Sequence, residues 1–358
     1  MVILHIAKIE NEMFKGVDVA VPQHITAQQE IADVALLNLS NVEIPGVKTQ
    51  LPFKEQVRME QFQAPYNKPD IVVFHEVYYP PYLKISEELR KSRIPYVIIP
   101  HGCLTTEAQR KKWLKKKIGN FLLFNRYIKN AAAIQCLSLN ESEKVRFDVK
   151  KFIGTNGVTV PERRKDCFHR ERVEFLYVGR LDAYHKGLDL LLQAVEKKAG
   201  ILRKHHCCIK ICGPDCDGDF SHVQRLIREN KVMDLVELCP GIYGKDKENA
   251  LLSADLFVQT SRFEGMPLGI LEALSYGLPC LVSRGTTLGE RIEENDAGWM
   301  AETDADSVAA ALERAVSDRA RWREMSAHAV EMVKKEFAWD VLSKRAVECY
   351  KQIAEGGK

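Results

Sequence analysis

Short apolar runs alternate with amphipathic stretches along most of the chain, in two separate series. The first series has apolar runs at residues 2–7, 34–39, 71–74 and 96–100. Pro69-Asp70 and Ile94-Pro95 stand before the last two runs, the punctuation expected at strand entries. Helical stretches intervene, clearest at 81–92 and 111–130, whereas residues 40–68 are poorly patterned and predict loops with at most a short helix. The second series is cleaner. Strand 174–178 leads to helix 187–198, where Leu188, Leu191, Leu192 and Val195 share one face. Strand 208–212 then leads to helix 221–230, strand 236–239 to helix 245–253, and strand 256–259 to helix 269–276, with strand 279–282 closing the run. The remainder reads as helical, at 304–317, 319–337 and 339–354.

Strand–helix alternation of this kind argues parallel sheets covered by helices on both faces. The fold class is therefore α/β, with two doubly wound, Rossmann-like domains. Gly154-Thr155-Asn156-Gly157, then Pro161 and a charged stretch to Arg172, form a turn-rich linker. The domains are accordingly drawn as 1–158 and 159–338, with a final helix, 339–358, crossing back to the first. No solenoid repeat or low-complexity tract is visible. Ligands of open α/β sheets bind outside the carboxyl ends of the strands, so two facing domains predict a cleft lined by strand-end loops.

Composition narrows the partners. A chain of 358 residues with 46% hydrophobic and 28% charged residues fits a globular protein of about two domains. A net charge of +3 gives no argument for nucleic acid. Residue 1 leads straight into the first apolar run without a basic leader, and no run approaches the roughly 20 apolar residues that span a bilayer. The expected setting is cytoplasmic, with the ten cysteines as reduced thiols. His205-His206-Cys207-Cys208, with Cys212 and Cys216, lacks the paired, loop-separated spacing of a zinc site. Residues 208–212 alternate like a strand, where cysteine serves as a small hydrophobe. Asp215-Cys216-Asp217-Gly218-Asp219 is no calcium loop, because the sixth and twelfth positions are Phe220 and Leu226. It reads as a polar turn capping the next helix. No metal is expected.

Charge is concentrated in one place. From Ala108 to Asn140 there is no acidic residue, yet Arg110, Lys111, Lys112, Lys115, Lys116, Lys117, Arg126 and Lys129 interleave with Trp113, Leu114, Ile118 and Phe121. Such a basic segment, 110–129, reads as an element that lies on an anionic membrane surface, peripheral at its inner face. The bland reading is a helix packing Leu122 and Phe124 into the core with its basic face in water.

Two strand ends carry candidate chemistry. After the strand ending at Val178, Gly179 allows a sharp turn, and Arg180 and Lys186 bring two cations to a helix start. That is how a diphosphate is held, although both could equally be solvated loop charges. The second is 260–272, Thr-Ser-Arg-Phe-Glu-Gly-Met-Pro-Leu-Gly-Ile-Leu-Glu. Gly265 and Gly269 permit close backbone approach, and free N–H groups from Met266 to Ile270 can meet an anion. Glu264 can accept hydrogen bonds from sugar hydroxyls, and Glu272, one helical turn inside, from ribose. Alternatively, both carboxylates are charges favoured by the helix dipole, a reading that suits Glu272 less well in its apolar setting.

Gly179-Arg180-Leu181 with Lys186-Gly187, the Ile211-Cys212-Gly213-Pro214 strand end, and Glu264 with Glu272 resemble family 4 of the retaining glycosyltransferases. Asn156-Gly157-Val158 and Pro100-His101-Gly102 add to the likeness, which is strongest over 150–285. The resemblance implies the GT-B fold and a retaining, metal-independent sugar transfer from a nucleotide-diphospho-sugar. The donor would be a uridine-diphosphate sugar first and guanosine-diphosphate-mannose second, the acceptor a saccharide or lipid-linked sugar, and the setting surface-polysaccharide assembly. It further implies that Arg180 and Lys186 bind the diphosphate and that Glu264 contacts the donor sugar with help from Gly265, Met266, Pro267, Leu268 and Gly269. Glu272 would bind ribose, with Gly179 and Gly213 lining the site and Ile242 and Tyr243 near the base. His101 would reach towards the transferred sugar. Where the family often has a Gly-Gly pair after the first strand, this chain has Lys15-Gly16-Val17, which leaves Gly16 as the one donor-side glycine there. His75 and Glu76 are the acceptor-side candidates, or else loop polar groups bonded locally. A sugar-nucleotide epimerase and a non-catalytic sugar-nucleotide sensor are the alternative functions.

Overall fold

In the computed structural model, which describes residues 1–12, 15–54, 57–105, 123–168, 171–216 and 218–356, the chain divides into two compact units. One is Met1–Gly157 with Trp339–Lys358, the other Val158–Ala338. The first is built on a parallel sheet of β1 (Val2–Ala7), β2 (Asp33–Asn38), β3 (Gln50–Leu51), β4 (Ile71–His75), β5 (Tyr96–Ile99), β6 (Ala133–Cys136) and β7 (Lys151–Ile153). Their order is β3-β2-β1-β4-β5-β6-β7. Order reverses between β1 and β4, and the carboxyl ends of β4 and β5 deliver His75 and His101. Helix α1 (Gly16–Gln28) packs against the last helix, Trp339–Gly356.

The second unit orders β8 (Val173–Val178), β9 (Cys207–Cys212), β10 (Val236–Cys239), β11 (Leu256–Gln259), β12 (Cys280–Ser283) and β13 (Gly298–Ala301) as β10-β9-β8-β11-β12-β13. In β8, Phe175 and Tyr177 enter a core with Leu188, Leu191, Leu192 and Val195, while Leu176 enters a second core with Ile270, Leu271 and Leu274. Residues 175–177 are buried on both faces, which is why this stretch of β8 is continuously apolar rather than alternating. Order reverses between β8 and β11, and the loops after these two strands are the two candidate segments.

The alternating pattern thus gives the doubly wound sheets. Several elements were not predicted. Helix α1 contains Pro22 and spreads its apolar residues around the axis, so it carries no helical stripe. β6 and β7 are too short to stand out, and β13 lies between the last predicted strand and the first of the final predicted helices, where no element was expected. Residues 40–68 are mainly loop, with β3 and a single turn at Met59–Gln61. Cys207, Cys212 and Cys280 are buried among core residues. Asp215 Oδ1 accepts from Phe220 N–H at 3.0 Å, capping helix Asp219–Glu229. Of the predicted helix 111–130, the part to residue 122 lies outside the described residues, and with it most of the proposed membrane segment. Asn125–Lys129 is helical, Phe124 is buried in the core, and Leu123 is exposed.

Candidate functional site

The loop after β8 folds back as tight turns before helix Leu188–Lys197. Lys186 N–H donates to Asp182 O and Leu188 N–H to Ala183 O, so this helix start is already hydrogen-bonded. Its contribution to an anion is therefore its side chains. Gly187 sits at φ +64, and a Cβ there would lie 1.9 Å from Thr260 O. This loop can approach the one after β11 only because residue 187 is glycine. Gly187→Ala is expected to destabilise the second unit by about 3 kcal/mol in urea unfolding, at the upper end for one substitution. Gly265→Ala, whose Cβ would meet nothing within 4 Å, should cost under about 0.5 kcal/mol.

Arg262 fastens the two loops further. Its guanidinium donates to both oxygens of Asp189 at 2.7 Å and to Tyr184 O at 2.6 Å, and it lies over the Tyr184 ring. A bidentate, half-buried pair of this kind fixes geometry better than a surface ion pair. His185 stacks on Phe263, and its Nε2 lies 2.8 Å from Phe263 O. Arg262 N–H donates to His185 O at 2.9 Å.

Glu264 is the centre of the arrangement. Its Oε1 accepts from Lys186 Nζ at 2.5 Å, Ser261 Oγ at 2.8 Å and Gln259 Nε2 at 3.0 Å. Its Oε2 takes no partner among the described residues. Burial pushes the carboxyl pKa up, but the Lys186 charge, with the hydrogen bonds from Lys186 and Ser261, outweighs it and leaves a net lowering. Glu264 is therefore ionised at neutral pH, with one oxygen anchored and the other available. Beside it, Met266, Leu268 and Gly269 offer N–H groups without a partner among the described residues, at the start of helix Leu268–Ser275. Ile270 N–H is taken by Pro267 O, so it drops out of the predicted set, as does Pro267, which has no N–H. One turn into this helix, Glu272 Oε2 accepts from Lys247 Nζ. Arg180 is exposed, and its guanidinium is unpaired among the described residues.

The other residues of this unit line up around these. Gly213 follows β9, and a Cβ there would lie 2.2 Å from Gly179 O, which closes the strand ends together. Ile242 is partly buried against the core and Tyr243 is exposed at the start of helix Gly244–Ser253. The sequence reading missed Gln259, Ser261, Arg262 with Asp189, and Lys247. Arg262 with Asp189, and Lys247 with Glu272, act across different elements, which spacing does not reveal, whereas Gln259 and Ser261 lie within five positions of Glu264 and are ordinary polar residues of its own loop.

In the first unit, Gly16 opens α1 with open space around it, and Lys15 pairs with Glu10 at 2.8 Å and Glu12 at 2.5 Å. His75 is 1% exposed, so its side chain is no surface contact. Its Nδ1 lies 3.1 Å from His101 Nε2. Burial lowers the His101 pKa to about 4. Tyr79 Oη donates to Glu76 Oε2 at 2.5 Å, and burial raises the Glu76 carboxyl despite that bond.

Residues 161–335 match the family described as glycosyl transferases group 1. An uncharacterized glycosyltransferase of Methanocaldococcus jannaschii is 30% identical over 182 residues, covering 50% of this chain and 45% of that protein. A UDP-Gal:alpha-D-GlcNAc-diphosphoundecaprenol alpha-1,3-galactosyltransferase of Escherichia coli is 43% identical over 75 residues, 21% of this chain and 19% of that one. The matched stretches thus span less than half the length of these curated relatives. HepE of Anabaena, crystallised in complex with UDP, shares the fold with a TM-score of 0.74 at 14% identity, over 98% of this chain and 100% of that one.

Proposed function

From the match of residues 161–335 to the glycosyl transferases group 1 family, we propose that this chain moves a sugar from a nucleotide-diphospho-sugar to a saccharide or lipid-linked acceptor in polysaccharide biosynthesis. The observation that carries the reading is the split role of Glu264, whose Oε1 accepts from three protein donors while Oε2 has no partner among the described residues. A carboxylate oxygen held ready beside free N–H groups suits a ligand that brings hydroxyls and an anion together. In this reading Arg180, Lys186 and the Met266, Leu268 and Gly269 N–H groups hold the diphosphate. Lys186 has three donors, so it can keep Glu264 while meeting a phosphate oxygen. Glu264 Oε2 accepts from donor-sugar hydroxyls and Glu272 from ribose. The sequence resemblance assigns His101, in the first unit, to the transferred sugar.

Transfer with retention needs no protein nucleophile. The bond from the anomeric carbon to phosphate breaks, the acceptor oxygen attacks on the same face, and its proton passes to the departing phosphate oxygen. Two cations and a helix N-terminus neutralise the leaving group, the task a divalent metal performs elsewhere. Uridine-diphosphate donors come first, in keeping with the UDP bound to HepE, and guanosine-diphosphate-mannose second. The lipid-linked acceptor in the name of the E. coli relative agrees with a membrane role for segment 110–129.

A thermal-shift screen over nucleotide sugars tests the donor. The correct one at 100 times its Kd should add about 2.7 kcal/mol of stability. No stabilisation by any uridine or guanosine diphospho-sugar would sink the reading.

A further inference from the structure

Glu141 caps a helix, but does so from the interior. It is the third residue of helix Leu139–Lys144, after the N-cap Ser138, whose Oγ accepts from Glu141 N–H at 3.2 Å. In the usual Ser-x-x-Glu start the carboxylate reaches back only to the N–H of the N-cap. Here Glu141 is 3% exposed, and both of its oxygens are taken by other backbone groups. Oε2 accepts from Leu137 N–H at 2.6 Å, one residue before the cap. Oε1 accepts from Gly102 N–H, also at 2.6 Å, 39 positions away on the loop after β5. Leu137 ties the carboxylate to its own helix start, whereas Gly102 has no part in that helix. Both partners are donors, so the ionised form suits the pair.

The Gly102 N–H belongs to a tight turn that carries His101. Cys103 N–H donates to Pro100 O at 3.0 Å, and the two central residues, His101 and Gly102, have φ of +48 and +83. Positive φ at both central positions is the type I′ turn, in which glycine, asparagine and aspartate predominate. Gly102 meets that demand freely, but histidine is strained there by the approach of Cβ to the following carbonyl. Such a residue persists only where its surroundings insist on it. His75 holds the ring end: its Nδ1 lies 3.1 Å from His101 Nε2, and the two rings stack with centroids 5.4 Å apart. Glu141 holds the backbone end. A backbone N–H bonded to a carboxylate makes a short, strong hydrogen bond. Turning the His101–Gly102 peptide over would aim that N–H away from Glu141, so the carboxylate selects this turn over its alternatives.

We infer that Glu141 is a positioning residue for His101, its carboxylate locking the left-handed turn that presents the imidazole. The bearing on sugar transfer rests on the role proposed for His101. The lock itself is read without any donor, so the two can fail separately.

The experiment compares wild type, Glu141→Met and Ser138→Ala as full chains. Glu141→Met keeps the length of the side chain but offers no oxygen to either N–H. Hydrogen exchange at the Gly102 amide should quicken at least about tenfold, and the His101 ring resonances should move. With the uridine-diphosphate sugar that the thermal-shift screen selects, kcat should fall about 10- to 100-fold while the donor KM stays within about threefold, the mark of a displaced group rather than a lost binding contact. Ser138→Ala removes a cap bond from the same helix without touching Gly102. It should leave Gly102 exchange, the His101 resonances and kcat at wild-type values. Wild-type Gly102 exchange and His101 resonances in Glu141→Met, or an equal loss of kcat in Ser138→Ala, would overturn the inference. If no donor is turned over by wild type, the proposed function fails and the exchange comparison still decides the lock. If Glu141→Met does not fold, wild type decides: a Gly102 amide that exchanges as fast as an open turn would remove the lock, and a protected one upholds it.

Discussion

Glu264→Gln is expected to lower kcat/KM for the nucleotide-sugar about 100- to 1,000-fold while leaving the affinity for the bare nucleoside diphosphate within about tenfold. The substitution is nearly isosteric, and three donors already converge on Oε1. The new amide must keep its oxygen there, which turns its NH2 group to the place where Oε2 stood. Sugar hydroxyls that donated to a carboxylate then meet donors instead. One lost hydrogen bond to a charged group costs roughly 1.5–3 kcal/mol, and the mismatch adds to it. At about 1.4 kcal/mol per tenfold, that reaches two to three orders of magnitude. In the proposed reading the diphosphate is held elsewhere, by Arg180, Lys186 and the helix start, and Lys186 freed from its anionic partner can turn fully to phosphate. Steady-state kinetics with the donor, set beside calorimetric titration of the nucleotide, separate the two effects. A kcat/KM within threefold of wild type would remove Glu264 from the site.

The sequence shows the doubly wound architecture because strands buried on both faces are continuous apolar runs, and the central parts of β8 and β11 fit that description. The strand β9 is different, alternating buried and part-exposed positions around Lys210, and is legible by that alternation instead. The sequence also marks the two loops, since Gly179, Gly187 and Gly265 punctuate strand ends. It does not show how those loops meet. Lys186 and Glu264 are 78 positions apart, as are Tyr184 and Arg262, and their contacts exist only because β8 and β11 are neighbours. Lys247, which occupies Glu272, stands in a polar helix where lysine attracts no notice. His5, His24, His75 and His101, whose rings pack together in the first unit, are hidden as a cluster for the same reason. His5 interrupts an otherwise apolar strand, while His24 and Gln28 lie on α1, a helix that Pro22 and its scattered apolar residues conceal.

That cluster also makes the first unit acid-sensitive. Burial lowers His101 to about 4, and burial, partly opposed by the Gln28 hydrogen bond, lowers His5 to about 4. His24 and His75 are held well below the ordinary value by burial and then by neighbouring histidines. The unfolded chain binds these protons near pH 6.5, the folded unit only near 4 or below, so the unfolded state carries more protons throughout the interval. Stability is therefore complete above pH 6.5 and falls as the pH drops towards 4. His5 and His101 each account for about 3 kcal/mol over that span, against a typical total of about 5–15 kcal/mol. Glu76 and Glu141, whose carboxyls burial raises, act in the opposite sense but are fewer. Ordinary carboxylate ion pairs such as Glu10, lowered to about 2 by its hydrogen bonds with Lys15 and Lys8, matter only below pH 4.5. Hydrogen exchange resolved by unit should thus show β1, β4 and α1 losing protection between pH 6.5 and 4.5. His24→Phe keeps a ring against Trp339 and removes one titrating group, so the pH slope of stability should fall by about 1.4 kcal/mol per pH unit. A first unit equally protected at pH 6.5 and 4.5 would mean that its histidines gain their protons without opening the fold.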